Sequence, residues 1–585
     1  MALHHTPLHA AAADAVATST GVTARELKVE SPPKPELGDF AVGCFAIAKA
    51  QGKPPVQVAQ AIAASFVPTP LLASATAAGP FVNFRADRAA TFQWVIHAAL
   101  TDTLVPRSLG EGQTICIDYS SPNISKHLAY HHIRSTVIGH SLALIFRGLG
   151  YRVVGINHLG DWGTTHGMLI AAWHMWGAGD DFSGLDITRL NELYVKFREA
   201  EKEQPQLSDS ARQYFKKLEQ GDPEVRALWQ RFRDVSWAEF EAVYRRLGIE
   251  FDEVRGESAY EPDLARVMRD LRAKGLVVES QGAQVVELEG EKTPILLEKN
   301  DGSTLYATRD VAAAEYRWAT YGFARSLYVV DRGQALHFRQ LFKLLAKAGF
   351  AWADRCQHVT FGLVRLGGKK TGTRTGNVVL LKDVLAEAEA DVRTKIASVN
   401  SDLPVEVLDV VAPQVGTGAV IFANLVSQRD KDVDFEWDKV IALDGDSGPY
   451  VQYSHARCAS IVRRAGERVT SVTGIDFARL THDSEWAVAK RLLELPEAVV
   501  RAGPGDPEAE LAKAAACEPH VLCHYLLALA GDFSRWYTAG NSDASLRVLC
   551  DDAETRRARL ALVSAVQATL AKGLALLGIA APDQM

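Results

Sequence analysis

The chain has few cysteines, no excess of positive charge, and no long uninterrupted apolar run. Its seven cysteines include no CxxC pair. The nearest two, Cys517 and Cys523, have no His or Cys at metal spacing, which argues against a zinc finger or a disulfide framework and suits a reducing compartment. The formal net charge is -7, so any contact with nucleic acid must come from local patches rather than from a global field. No apolar run approaches the length of a membrane span. The N-terminus, MALHHTPLHAAAADA, has no basic segment followed by an apolar one, so the expected location is the cytoplasm, with no membrane partner. What is present is 585 residues, 47% hydrophobic and 23% charged: enough to build several domains with their own cores.

Chemistry concentrates first in residues 115–165, ICIDYSSPNISKHLAYHHIRSTVIGHSLALIFRGLGYRVVGINHLGDWGTT. A β-branched and aromatic run at residues 114–119 predicts a short buried strand. SSPN then breaks the run and offers caps for a helix expected to start near Asn123 and to reach about Arg147, where Gly148 and Gly150 end it. Residues 151–157 read as a second strand before GDWGTTHG. A β-α-β unit with a polar loop feeding a helix N-terminus is a place for a phosphate. Lys126, expected in the first helical turn, is badly placed for the helix dipole but well placed for an anion.

On these residues the chain resembles class I arginyl-tRNA synthetases: SSPNISK, then HIRST, then GINHLGDWGT. In that family the segment between the Lys and RST carries a variant of a His-x-Gly-His motif. Here Ala129, Tyr130, His131 and His132 fall on its four positions, and only the last His is kept. Two readings of that departure stay open. His127 or His131 supplies the missing donor, or the nucleotide site is impaired. His127 and His131 also have the i, i+4 spacing of helical metal ligands, without an acidic third ligand; no metal is assigned.

Further along, LYATRD precedes a helical pattern, so Tyr306 and Asp310 would share one helix face. A guanidinium needs a carboxylate and a group that fixes its plane. The resemblance puts Tyr306 and Asp310 on the family's arginine-binding positions. It also puts Asn123 on the residue that holds the α-amino group, and Asp118 and Gln334 in the same pocket. It implies His337 near the ribose and adenine of ATP, with Lys126, His131, His132, Gly160 and Asp161 as further nucleotide contacts. RLGGKKTGTRTGNVV reads as a flexible basic loop suited to a triphosphate. By resemblance it is a degenerate second signature loop, with Lys370 and Arg374 at its first and last positions. Lys126, His132, Lys370 and Arg374 are thus the expected catalytic set.

Residues 1–106 read as an N-terminal α+β domain. LGDFA and GPFVNF resemble the family's tRNA-elbow domain, making Asn83 and Phe84 candidate RNA contacts. Residues 107–440 are expected to form a Rossmann-like, parallel-sheet catalytic domain with a polar helical insertion around 180–275 that shows no chemistry. Residues 441–585 read as an all-α bundle resembling the anticodon-binding domain, with Arg463, Arg464, Trp536 and Tyr537 as candidate contacts. The resemblance implies ATP-dependent attachment of L-arginine to tRNA(Arg) through an arginyl-adenylate, with ATP as substrate and Mg²⁺ accompanying it, in a monomer. Two alternatives are an arginine ligase acting on another acceptor and a non-catalytic tRNA-binding pseudoenzyme.

Overall fold

The computed structural model describes residues 6–177, 185–299, 306–366, 369–370, 379–505 and 514–585. At its centre lies a five-stranded parallel sheet of β1 (Thr114–Asp118), β2 (Arg152–Asn157), β3 (Glu253–Val254), β4 (Arg325–Asp331) and β5 (Cys356–Phe361), in the order β5-β4-β1-β2-β3. The inner strands read ICI, VVGI and LYVV because both faces are covered. From β1 the chain moves one way, to β2, and from β4 it moves the other way, to β5. Between β1 and β4 the connections diverge, and above their carboxyl ends such sheets leave a crevice for a ligand.

Helix α1 (Ile133–Gly148) joins β1 to β2 and is buried along almost its whole length. It starts ten residues later than the sequence suggests. Residues 119–129 are not helical; only a 3₁₀ turn at Tyr130–His132 precedes α1. The cause is visible in the SSPNIS turn, where Ser120, Ser121 and Ser125 take φ of 68°, 46° and 68°. Left-handed conformations of this kind cost about 1 kcal/mol each and stop a helix. Lys126 therefore sits on a bend outside any helix.

Helices α2 (Ile187–Glu203) and α3 (Pro223–Leu247) belong to the polar insertion and close around a core of their own that includes Trp162, Phe197, Trp229 and Phe232. Helix α4 (Tyr306–Tyr321) precedes β4, and α5 (Ala335–Lys347) joins β4 to β5. A small antiparallel sheet (Val278–Ser280, Ala283–Val286, Ile295–Glu298) packs nearby. Helices α6 (Leu381–Val399) and α7 (Val405–Leu425) lead to the C-terminal bundle of α8 (Gly448–Ala465), α9 (His520–Ser542) and α10 (Ala553–Leu576) with their shorter companions.

By length and composition α7 and α10 would each span a membrane, which corrects the expectation that no run is long enough. Both are mostly buried inside the molecule, where an all-round apolar helix is a core helix.

The N-terminal segment forms a four-stranded antiparallel sheet flanked by helices. Phe40–Gly43 is a strand beside Phe81–Ala86. Asp39 fastens this sheet to the bundle: it accepts from Ala86 N at 3.0 Å and from Trp486 Nε1 at 2.9 Å.

Candidate functional site

A cavity of about 600 Å³ opens above the carboxyl ends of β1 and β4. Asp118, Ser120, Ser121 and Asn123 line it from the first motif, His131 and His132 from the 3₁₀ turn, and His158 and Gly160 from the loop after β2. Tyr306 and Asp310 enter from α4, and Gln334 and His337 from the start of α5. Segments far apart in sequence thus meet at the sheet's switch point.

The first motif is held by polar side chains that fold back on the backbone. Ser135 accepts from Ser120 N at 3.0 Å and donates to Val329 O at 2.6 Å, joining the ends of β1 and β4. Ser120 Oγ lies 2.8 Å from both Thr136 and Tyr244. Asn123 pairs with Gly160 across an isolated bridge. A Cβ at Gly160 would stand 1.9 Å from Asn123 Oδ1, so only glycine lets the two loops touch.

Asp118 faces the cavity, but its charge is already matched. Arg317 Nη2 donates to Oδ2 at 2.7 Å, and Ser121 Oγ donates to Oδ1 at 2.7 Å. Burial works against the carboxylate, yet Arg317, His158 and Ser121 together hold its pKa below the ordinary value. Asp118 stands in the cavity wall, as expected of a pocket residue, with its charge paired to Arg317.

Two further carboxyl groups face the cavity. Tyr306 and Asp310 lie on one face of α4, as their spacing requires. Beside them stands Glu257, from the insertion where no chemistry was expected. Its Oε2 is 3.0 Å from Arg309 Nε, without the alignment of a good hydrogen bond. Burial, reinforced by Asp310 and Asp161 against the pull of Arg309, pushes the Glu257 carboxyl up to about 8. No sequence pattern marks Glu257; only the fold brings it here.

Asp161, expected to contact the nucleotide, is fully enclosed away from the cavity. It accepts from Ser258 N and Ser258 Oγ, both at 2.9 Å, and pairs with Arg233 at 3.2 Å. Gly256 packs so closely against this carboxylate that a Cβ would come within 2.2 Å of it. Asp161 therefore fixes the turn that presents Glu257.

The altered motif is held by main chain. Ala129 bridges Leu380, Tyr130 N donates to Val379 O at 2.8 Å, and Leu381 N donates to Leu128 O at 2.9 Å. His132 Nδ1 lies 3.0 Å from Ala129 N and 3.1 Å from Ala129 O, so the main chain of the motif holds the ring. Burial, with His131 beside it, depresses this imidazole to about 3, and it stays uncharged. His131 lies against it, ring centroids 4.1 Å apart, on the cavity wall and also lowered by burial.

His127 does not supply the missing donor, because it points toward the insertion, with Glu239 at 3.1 Å and Thr188 at 3.3 Å. The 127–131 segment is also not helical, which removes the i, i+4 metal geometry. Lys126 likewise turns away from the cavity. Its ammonium sits 4.8 Å from the Tyr194 ring centroid, and burial together with Arg198 lowers its pKa. His337 lines the cavity and is bonded to Asp310, Nε2 to Oδ2 at 2.6 Å. Lys370 pairs with Arg365 in a short antiparallel hairpin; its side chain and Arg374 lie outside the described residues.

Of the expected RNA contacts, Phe84 and Trp536 are 0% exposed and Asn83 3%. They are core residues, and no base can stack on them. Arg463 and Arg464 are exposed, although Arg463 donates to Asp583 O at 2.9 Å. Tyr537 is half-buried, with Arg457 5.0 Å from its ring centroid.

A parallel sheet with a polar, carboxylate-bearing cavity at its switch point, next to a histidine pair at a helix start, defines a nucleotide-using α/β enzyme. Residues 95–437 match the catalytic domain of class I tRNA synthetases (R), residues 451–585 the DALR anticodon binding domain, and residues 6–86 the arginyl tRNA synthetase N terminal domain. An arginine–tRNA ligase of Exiguobacterium sibiricum is 42% identical over 562 residues, 96% of each chain. One from Clostridium beijerinckii is 41% identical, over 96% of this chain and 97% of the relative. The Thermus thermophilus arginyl-tRNA synthetase structure superposes with a TM-score of 0.80 at 27% identity, covering 99% of this chain and all of that one. The chain belongs to the arginine–tRNA ligase family of class I aminoacyl-tRNA synthetases.

Proposed function

We propose that this chain charges tRNA(Arg) with L-arginine in two steps, and that the cavity residues divide the work between arginine and ATP. In the first step an arginine carboxylate oxygen attacks the α-phosphorus of ATP, and the bond to pyrophosphate breaks. In the second, a hydroxyl of the tRNA's terminal ribose attacks the carbonyl of the adenylate, and AMP leaves. Neither step needs a covalent bond to the protein, so positioning and electrostatics carry the catalysis.

The observation that carries this reading is the convergence of Asn123, Glu257, Tyr306, Asp310 and Gln334 on one cavity shared with His131 and His132. Asp310 offers the guanidinium its counter-charge, and Glu257 adds to it when ionised. Tyr306 fixes its plane, and Asn123 and Gln334 take the polar groups at the α-carbon end. His132, an uncharged imidazole, lines the phosphate side, and His131 takes the place of the motif's missing donor. Lys126, with Lys370 and Arg374 of the basic loop, would add charge on the phosphate side; their part rests on the sequence resemblance.

Among the described residues no group of three or more His, Cys, Asp or Glu side chains forms a metal cage. Magnesium would therefore come with the nucleotide's phosphates, and none of the roles assigned here passes through it. We divide the chain at about residues 106 and 440. Arg463, Arg464 and Tyr537 are the remaining candidates for the anticodon side, in a monomeric cytoplasmic enzyme.

The test is arginine-dependent ATP–pyrophosphate exchange with and without tRNA(Arg), using lysine and citrulline as controls. Exchange with arginine and tRNA is the expected result. Exchange that ignores tRNA would indicate a different acceptor, and its complete absence would mean that the altered motif has lost the chemistry.

A further inference from the structure

One pairing in the cavity ties the arginine-binding carboxylate to a residue with no role so far. His337, near the start of α5, and Asp310, on α4, are joined by the 2.6 Å bond from Nε2 to Oδ2, and both are about three-quarters buried. A carboxylate that receives a guanidinium works best with both oxygens offered side by side. Here one oxygen is held by the imidazole, and the other takes no bond from the described residues. The groups facing the pair are of both signs. Glu257 and Arg309 stand on the Asp310 side with the Tyr306 ring. On the His337 side are Phe338, then His358, whose Nε2 lies 3.0 Å from Val330 O, and Asp331 beyond it.

We propose that His337 is a positioning residue for arginine: it orients Asp310 toward the cavity, and it must be neutral when the guanidinium arrives, so that binding arginine expels a proton from the pair. This rests on the reading that Asp310 receives the guanidinium. The physical reason is charge. A neutral imidazole donating from Nε2 fixes the carboxylate and leaves its negative charge available. An imidazolium cancels that charge and sets a second cation beside the incoming one. Burial disfavours the imidazolium, but the hydrogen bond and charge of Asp310 outweigh it, and His337 holds its proton more tightly than a free imidazole does. Arginine must compete with that proton for Asp310.

The sign follows from linkage. As pH falls below the midpoint of His337, the apparent KM for arginine rises, by up to about tenfold per pH unit for that one proton. Glu257 acts in the same direction, because its neutral form attracts no guanidinium. The wild-type profile therefore carries two protons.

The experiment measures KM for arginine and for ATP in pyrophosphate exchange, with the full chain and tRNA(Arg), from about pH 5.5 to about pH 8.5, across the imidazole range. Wild type, His337→Gln and Glu257→Gln are compared. The side-chain amide in His337→Gln keeps an N–H for Asp310 but cannot titrate. The expected result is a limiting slope of log KM for arginine that falls from two protons to one in His337→Gln, with an unchanged KM for ATP. Glu257→Gln should lose the other proton. An arginine profile in His337→Gln identical to wild type would overturn the proposal. So would a tenfold rise in KM for ATP with the arginine slope intact, which would make His337 a nucleotide contact. Absence of arginine-dependent exchange in the wild type at every pH would instead overturn the assignment of the pocket, and this proposal with it.

Discussion

Asp161 receives both the backbone N–H and the hydroxyl of Ser258, each at 2.9 Å, and touches no part of the cavity. Its influence on arginine must therefore pass through Glu257, the residue before Ser258. Asp161→Asn should raise KM for arginine about tenfold and leave KM for ATP in place. It should also lower stability, by an amount of order 2 kcal/mol, since a buried charge pair with Arg233 is broken. Parallel kinetics and thermal melts check both effects.

Asp310 is expected to be indispensable to arginine use. Asp310→Ala removes the counter-charge and leaves His337 without its acceptor. Arginine-dependent exchange should fall below detection, while a filter assay for tRNA binding stays at the wild-type level. Full charging by that variant would refute the pocket assignment.

His131 offers a separate test on the nucleotide side. His131→Ala removes a donor and a ring from the cavity wall but leaves the backbone bridge at Ala129 intact. KM for ATP should rise about tenfold, the value of one hydrogen bond, with KM for arginine unmoved. If ATP binding improves instead, the ring obstructs adenine and is no substitute for the missing residue.

Asp118 and Arg317 make a stability prediction with a definite sign. The folded-state pKa of Asp118 is depressed below 3.8. Its stabilising contribution is therefore complete above the ordinary carboxylate range and is lost as pH falls through the folded value. Asp118→Asn should cost about 3–5 kcal/mol at neutral pH by leaving a buried guanidinium unpaired. The acid limb of its denaturation curve should be correspondingly flatter.

In the C-terminal bundle, Trp536 and Arg464 should separate cleanly. Trp536→Ala opens a core cavity and is expected to cost about 3–5 kcal/mol in chemical denaturation. Arg464→Ala should leave the melting temperature unchanged. It should weaken tRNA binding and reduce the slope of log K against log salt by about 0.7 to 0.9 if one phosphate contact is lost.

How far the sequence reveals this molecule depends on whether the signal is local. The strands around ICID and LYVVD, and the i, i+4 pair Tyr306 and Asp310, follow from short-range periodicity, and the structure forms those elements. Hydrophobic spacing starts helix α1 ten residues too early because it does not register three serines in left-handed conformations. Phe84 and Trp536 look like RNA contacts in the sequence because composition cannot distinguish a buried aromatic from an exposed one. Glu257 carries no local signal: it lies in a polar helical insertion, and its place in the cavity depends on Asp161, ninety-six residues earlier. Lys126 and His127 are prominent in the sequence, yet they meet the insertion's Tyr194 and Glu239 rather than the cavity lining.

The ladder that joins residues 128–130 to residues 379–381 is made of peptide groups. Peptide groups are the same whatever side chain they carry. A lineage can therefore exchange the histidine and the glycine of this motif for Ala129 and His131 without moving the frame that seats the nucleotide. What the ladder protects is the backbone path into His132; what the side chains at these two positions do is a separate matter. The spelling of the motif is negotiable here, and its main-chain joint to the loop that follows is not.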